Sequence, residues 1–144
     1  MQILRELMVK WAIQDKGRPY IWGGDDTIAG FDCSGYCVEH LKSVGMLPRK
    51  GDWSAAMLAL RWPRSRGNFG NLVFWENQKG EVIHVEICIG NGLAIGASGG
   101  GSKTTSLAAA IRHNAFVKIR PINSRANVWG FVDPFQKEIK SWQN

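Results

Sequence analysis

Apolar residues recur at Ile3, Leu4, Leu7, Met8, Trp11 and Ala12, the spacing of one helical face. This pattern predicts a helix over residues 2–15, ended by Lys16-Gly17-Arg18-Pro19. The stretch YIWGGDDTIAGFD that follows has no clear period and reads as a glycine-rich loop. Helical spacing returns over residues 34–44, with Asp32 placed to cap the start and Gly45 just past the end. Residues 54–61 predict a short helix closed by Trp62-Pro63. Beyond that point the period changes. Residues 71–75 form a strand-like run, and EVIHVEICI, residues 81–89, alternates and is rich in β-branched side chains. Asn91-Gly92 signals a tight turn, residues 93–97 a returning strand, and GASGGGSKTTS a flexible loop. Residues 116–120 and 128–132 complete the strand candidates. Helices first and an antiparallel sheet afterwards predict an α+β fold.

Composition narrows the class. A chain of 144 residues, 44% hydrophobic and 21% charged, fits one domain over residues 1–144, burying roughly two thirds of its unfolded surface. The net charge of +6 favours an anionic partner. Its basic residues are scattered, however, and form no run of the kind a nucleic-acid tail carries, so nucleic acid is not supported. A polyanionic cell wall would use the same charge. No apolar run reaches the ~18 residues of a membrane span. MQILRELMVKW mixes acid and base among its apolar positions, so it reads as an amphipathic helix and no export signal is expected. Seven tryptophans serve either the core or a groove that takes sugar or peptide.

Three cysteines make a poor disulfide framework, and Cys37 and Cys88 read as small buried hydrophobes. Cys33 differs. In FDCSGYC it follows the capping Asp32, which puts its thiol at the positive end of the helix, where a cysteine pKa falls. Ser34 and Gly35 keep the approach open, and the Cys33 backbone N–H is available to an oxyanion. A buried cysteine beside a helix start is the plainer reading. Of the three histidines, His40 lies two turns beyond Cys33 and His113 follows a polar stretch, whereas alternation puts His84, Glu86 and Cys88 on one strand face. A zinc site built from Cys33, Cys37, His84 and Cys88 fails on spacing. Four strand residues span about 13 Å, too far for two ligands on one ion.

PYIWGGDDTIAGFDCSGYC resembles the nucleophile segment of the NlpC-type family, papain-like cysteine peptidases that cut peptidoglycan stem peptides. Gly70-Asn71-Leu72-Val73-Phe74-Trp75 and His84-Val85-Glu86-Ile87-Cys88-Ile89-Gly90-Asn91-Gly92 match its later strands in order and spacing. The resemblance covers residues 19–97. It implies a papain-like fold with helices packed on an antiparallel sheet, Cys33 as nucleophile and His84 as general base. Tyr20, Asp32 and Ser34 match cleft positions that hold the stem peptide near its N-terminal end. It also implies hydrolysis through a thioester, between D-glutamate and the following diamino acid, with no metal or organic cofactor. A phage-delivered lysis or tail-associated enzyme, or a piece of a larger protein, would reach the wall without a signal of its own.

One position breaks the pattern. The family places a polar residue, often histidine, twelve positions after the base, and this chain has Gly96 there. Glu86, about 6.6 Å along the strand from His84, and Ser98 are the candidate substitutes. A three-residue loop after Gly90 would set Ser98 opposite Glu86, whereas a two-residue turn would pair it with Val85 on the wrong face. Gly96 also motivates two alternatives: a non-catalytic wall-peptide-binding or assembly module of the same fold, or a cysteine amidase or transferase acting on another amide.

Overall fold

The computed structural model describes residues 2–26 and 30–136; residues 27–29 of the glycine-rich loop and 137–144 lie outside the described residues. Helix α1 (Gln2–Gln14) buries Met8, Val9 and Ala12. Two short strands, β1 (Asp25–Asp26) and β2 (Gly30–Phe31), pair antiparallel where only loop is expected. Helix α2 (Cys33–Ser43) begins at the Asp32 cap, whose carboxylate accepts from the Gly35 N–H at 2.7 Å. Gly45 follows it in the left-handed region, φ +78°, where glycine avoids the Cβ penalty. Helix α3 (Ala55–Ala59) is shorter than its pattern predicts, capped by Ser54.

The strands are β3 (Arg64–Ser65), β4 (Leu72–Glu76), β5 (Val82–Gly90), β6 (Leu93–Ser98), β7 (Phe116–Pro121) and β8 (Val128–Val132). They form one antiparallel sheet in the order β3-β8-β4-β5-β6-β7. Between β6 and β7 lies α4 (Leu107–His113), a helix where the residue pattern predicts none. Its signals are Ser106, which accepts from the Ala109 N–H, and Asn114, a left-handed C-cap at φ 51°.

Alternation sorts the sheet into two faces. Leu72, Phe74, Val85, Ile87, Ile95 and Ala97 join the main core with residues of α1, α2 and α3. Val73, Trp75, Cys88 and Ala94 form a second cluster with Ile122 and Phe131. Each fully buried large side chain contributes roughly 1.5–3 kcal/mol, so the main core fixes how α2 sits on β5. Two contacts set its angle: Tyr36 donates its hydroxyl to the Ala12 carbonyl at 2.7 Å, and the Phe31 and Tyr36 rings meet edge-on at 5.3 Å. His40 stands 2.8 Å from Asp15 at the far end of α1. Packing therefore aims the start of α2 at the middle of the sheet.

Candidate active site

The nucleophile candidate is the first residue of α2. Cys33 is partly exposed, whereas Cys37 and Cys88 are buried, one in each core cluster. The Cys33 sulfur faces the backbone N–H groups of Ser34 and Val85. The second of these belongs to β5, one residue beyond His84, so the start of α2 abuts the strand that carries the imidazole. Among the described residues no hydrogen bond joins the sulfur to the imidazole. The expected drop in thiol pKa is overturned: burial pushes the Cys33 thiol up to about 11, and the Asp32 carboxylate adds to the rise. The Val85 and Ser34 N–H groups and the Arg125 guanidinium pull the other way and do not prevail. At neutral pH the Cys33 thiol keeps its proton.

His84 is buried, and its Nε2 lies 2.6 Å from Glu86 Oε2. A carboxylate on Nε2 fixes the proton there and leaves Nδ1 as the free lone pair. Burial, the larger influence, pushes the His84 pKa below its ordinary value against the pull of Glu86, so the ring is neutral at pH 7. The Trp75 ring packs on the imidazole at 5.3 Å.

Neither of the two expected β5–β6 registers occurs. Gly90 pairs with Leu93 across the Asn91-Gly92 turn, and an irregularity then shifts the pairing to Cys88 with Ala94 and Ile87 with Ile95. Continued one step, this sets Glu86 opposite Gly96. A Cβ at Gly96 would overlap Glu86, reaching 2.9 Å from its Cδ. The glutamate thus fills the space that the absent position-96 side chain leaves. Ser98 takes another partner: Arg120 Nη2 donates to its Oγ, and the same nitrogen stands 3.8 Å from Glu86 Oε2. Ser98 is thus engaged by Arg120, while Glu86 is the group bonded to the imidazole.

The loop side is assembled by Asp32. Its Oδ2 accepts from the Gly23 N–H at 3.0 Å, its Oδ1 accepts from Gly35 and the Ser34 hydroxyl, and its own N–H donates to the Gly24 carbonyl at 2.9 Å. Tyr20 is buried against Gly100, where any side chain would strike its ring. Burial, and after it the nearby Cys33 and Asp32, raises the pKa of its hydroxyl, which therefore stays a neutral donor. A groove of about 280 Å³ opens beside Asp32 and Ser34 and continues to Lys42 and Trp53.

Sequence reasoning missed Trp75, Arg120 and Arg125. Arg125 lies over the Trp75 ring at 5.8 Å, and its carbonyl accepts the Trp75 indole N–H at 3.2 Å. No local motif marks either arginine, because both reach the site from beyond β6. Gly35 is a position where even a small side chain has no room. A Cβ there would overlap the Gly24 carbonyl and stand 2.8 Å from Asp32 Oδ1. Gly35→Ala should therefore lift the loop off α2, costing about 1–3 kcal/mol and lowering the melting temperature by roughly 2–12 °C. A thermal melt checks this, and an unchanged midpoint would show that the loop yields freely.

A thiol at a helix start, a buried imidazole–carboxylate pair on the strand it abuts and helices packed on an antiparallel sheet are the features of a papain-like α+β domain. The chain belongs to the NlpC/P60 family, whose profile matches residues 17–121. It is 35% identical over 112 residues to the probable peptidoglycan endopeptidase LytE of Bacillus subtilis, covering 76% of this chain and 30% of that protein. It is 34% identical over 84 residues to the murein DD-endopeptidase MepH of Escherichia coli, covering 56% of this chain and 31% of that one. The chain thus spans about a third of each of these relatives. The NlpC/p60 domain of the peptidoglycan hydrolase SagA superposes with a TM-score of 0.67 at 26% identity, covering 90% of this chain and 97% of that one.

Proposed function

We propose that this chain is a cysteine endopeptidase of peptidoglycan stem peptides, acting at the cell wall, with Cys33 as nucleophile and His84 as base. The observation that carries the reading is the Glu86 carboxylate 2.6 Å from His84 Nε2, which leaves Nδ1 free as a base on the strand that the start of α2 abuts. Nδ1 accepts the Cys33 proton as sulfur attacks the amide carbonyl, and a C–S bond forms. The Cys33 backbone N–H, unpaired within the helix, faces the oxyanion. Collapse breaks the C–N bond while the imidazolium gives its proton to the leaving amine. Water, deprotonated by the same nitrogen, then cleaves the thioester and restores the thiol. Glu86 holds the ring tautomer and steadies the imidazolium. Tyr20, Asp32 and Ser34 hold the stem peptide.

The proposed bond lies between D-glutamate and the diamino acid, as the motif resemblance implies; the relatives' names do not agree on one bond, and MepH is named a DD-endopeptidase. Mass spectrometry of peptidoglycan digested by the purified chain tests both activity and bond. Fragments ending in D-glutamate support the reading, cleavage at another peptide bond keeps an endopeptidase and moves its bond, release of the peptide from the glycan or transfer to another amine redirects it to an amidase or transferase, and an undigested wall overturns it. Gly96, where the family places a polar residue, favours one rival, a module that grips wall peptide without cutting it.

The pH profile follows from the same groups. The working state carries one proton between thiol and imidazole. His84 is lowered, so activity should persist below pH 6.5 and fall only as the ring protonates; Cys33 is raised, so the alkaline limb should lie near pH 11. Measured kcat/KM against pH checks this, and an acid limb above 6.5 would contradict it.

A further inference from the structure

The groove beside Asp32 and Ser34 does not stop at the peptide-holding residues. It follows one side of α2 through Gly35 and Val38 to Lys42, and its outer end is formed by Trp53. From Ser34 to Lys42 the helix advances about 12 Å, so the groove leads away from the nucleophile over the length of one to two sugar rings. Its far wall is held in place by protein contacts. Lys42 Nζ donates to the Gly51 carbonyl at 3.1 Å, tying α2 to the Trp53 segment, and the Arg61 guanidinium backs the Trp53 ring at 5.9 Å. The lining combines a flat aromatic side chain, an ammonium and the Asp52 carboxylate. Such a surface suits a polyhydroxylated ligand, which offers C–H groups to an indole face and hydroxyls to charged partners.

The direction identifies the occupant. On the proposed reading, Asp32 and Ser34 hold the N-terminal end of the stem peptide. In an intact wall that end is joined by an amide to the lactyl group of a muramic acid. Whatever lies beyond Asp32 and Ser34, away from Cys33, must therefore be glycan. We infer that the α2 groove ending at Trp53 is a subsite for the muramoyl sugar, so that the protein prefers stem peptides still attached to the glycan strand over free peptides. This inference rests on the proposed endopeptidase activity and adds to it a choice of substrate. A free peptide would leave the Trp53 end of the groove empty and lose that contact.

The test compares two substrates, the free tripeptide L-Ala-γ-D-Glu-diamino acid and the same tripeptide carrying N-acetylmuramic acid. The native chain should cleave the muramoyl form at least about tenfold more efficiently, equivalent to ~1.4 kcal/mol of added binding. Trp53→Ala should collapse that ratio toward one, and Trp53→Phe should retain part of it. A second arm uses Cys33→Ala protein and NMR, following the Trp53 indole N–H as each ligand is added. A shift with the muramoyl ligand alone supports the subsite, and it also confirms that the protein is folded. Equal cleavage of both substrates, a preference for the free peptide, or a ratio unmoved by Trp53→Ala overturns the sugar subsite and leaves the endopeptidase reading standing. If neither substrate is cut, that reading falls, and the NMR arm alone decides whether the groove takes sugar.

Discussion

Replacing Cys33 with alanine should reduce release of stem-peptide fragments from purified wall by at least ~10⁴-fold while leaving the fold intact. The magnitude follows from the chemistry: without the sulfur no acyl intermediate forms, and only binding and the oxyanion N–H remain. Cys33 is partly exposed at a helix end, so losing one sulfur atom should cost well under the ~2 kcal/mol of a deep core truncation. The other two cysteines provide the contrast. Cys37 and Cys88 are fully buried, and burial pushes the Cys88 thiol up to about 12, which makes both inert packing groups. Cys37→Ala should lower the melting temperature and still give a digesting enzyme. Fragment release that survives Cys33→Ala, measured by mass spectrometry on the same wall preparation, would remove the thiol from the mechanism.

Much of this architecture was readable from the sequence because the signals were local. The stripe from Ile3 to Ala12 forms α1, the Asp32 cap and Gly45 bracket α2, and the alternation of EVIHVEICI gives β5. The misses were of two kinds. Helix α4 lay behind GASGGGSKTTS, where glycine and serine outweighed the short LAAAIRH run; a seven-residue helix offers too few turns for a period to show. The β5–β6 register depended on an irregularity between Cys88 and Gly90 that no residue pattern marks. That shift sets Glu86 opposite Gly96, where the absent side chain leaves it room. The thiol's titration was misjudged for a related reason. The helix-end field is visible in the sequence, whereas burial of the thiol by the packed strands is a property of the fold. Trp75, Arg120 and Arg125 are brought to the site by sheet order, which only the folded chain specifies.

Glu86 and Gly96 should behave as one unit, and this gives the second large expected effect. Glu86→Ala strips the carboxylate from His84 Nε2 and frees the tautomer, which should lower kcat by about 10²–10⁴-fold with little change in KM. Glu86→Gln is the subtler probe. It keeps the shape but removes the charge that raises the His84 pKa, so the acid limb of the pH profile should move to still lower pH as activity falls. A glutamate needed only for packing would leave that limb in place. Gly96→His, which restores the family's usual residue type, should be damaging in the native background, since its Cβ alone would overlap Glu86; overpacking of this kind costs about 1–3 kcal/mol. With Glu86→Ala also present the overlap disappears, and the new imidazole stands on the strand position that faces the base's carboxylate partner. The double variant should therefore exceed both singles in stability and activity, a coupling of roughly 0.5–3 kcal/mol in a double-mutant cycle. Additive losses would mean that the glutamate and the glycine are independent. Glu86 would then be a buried acid that happens to touch the ring, and the chain's departure from the family at position 96 would be uncompensated.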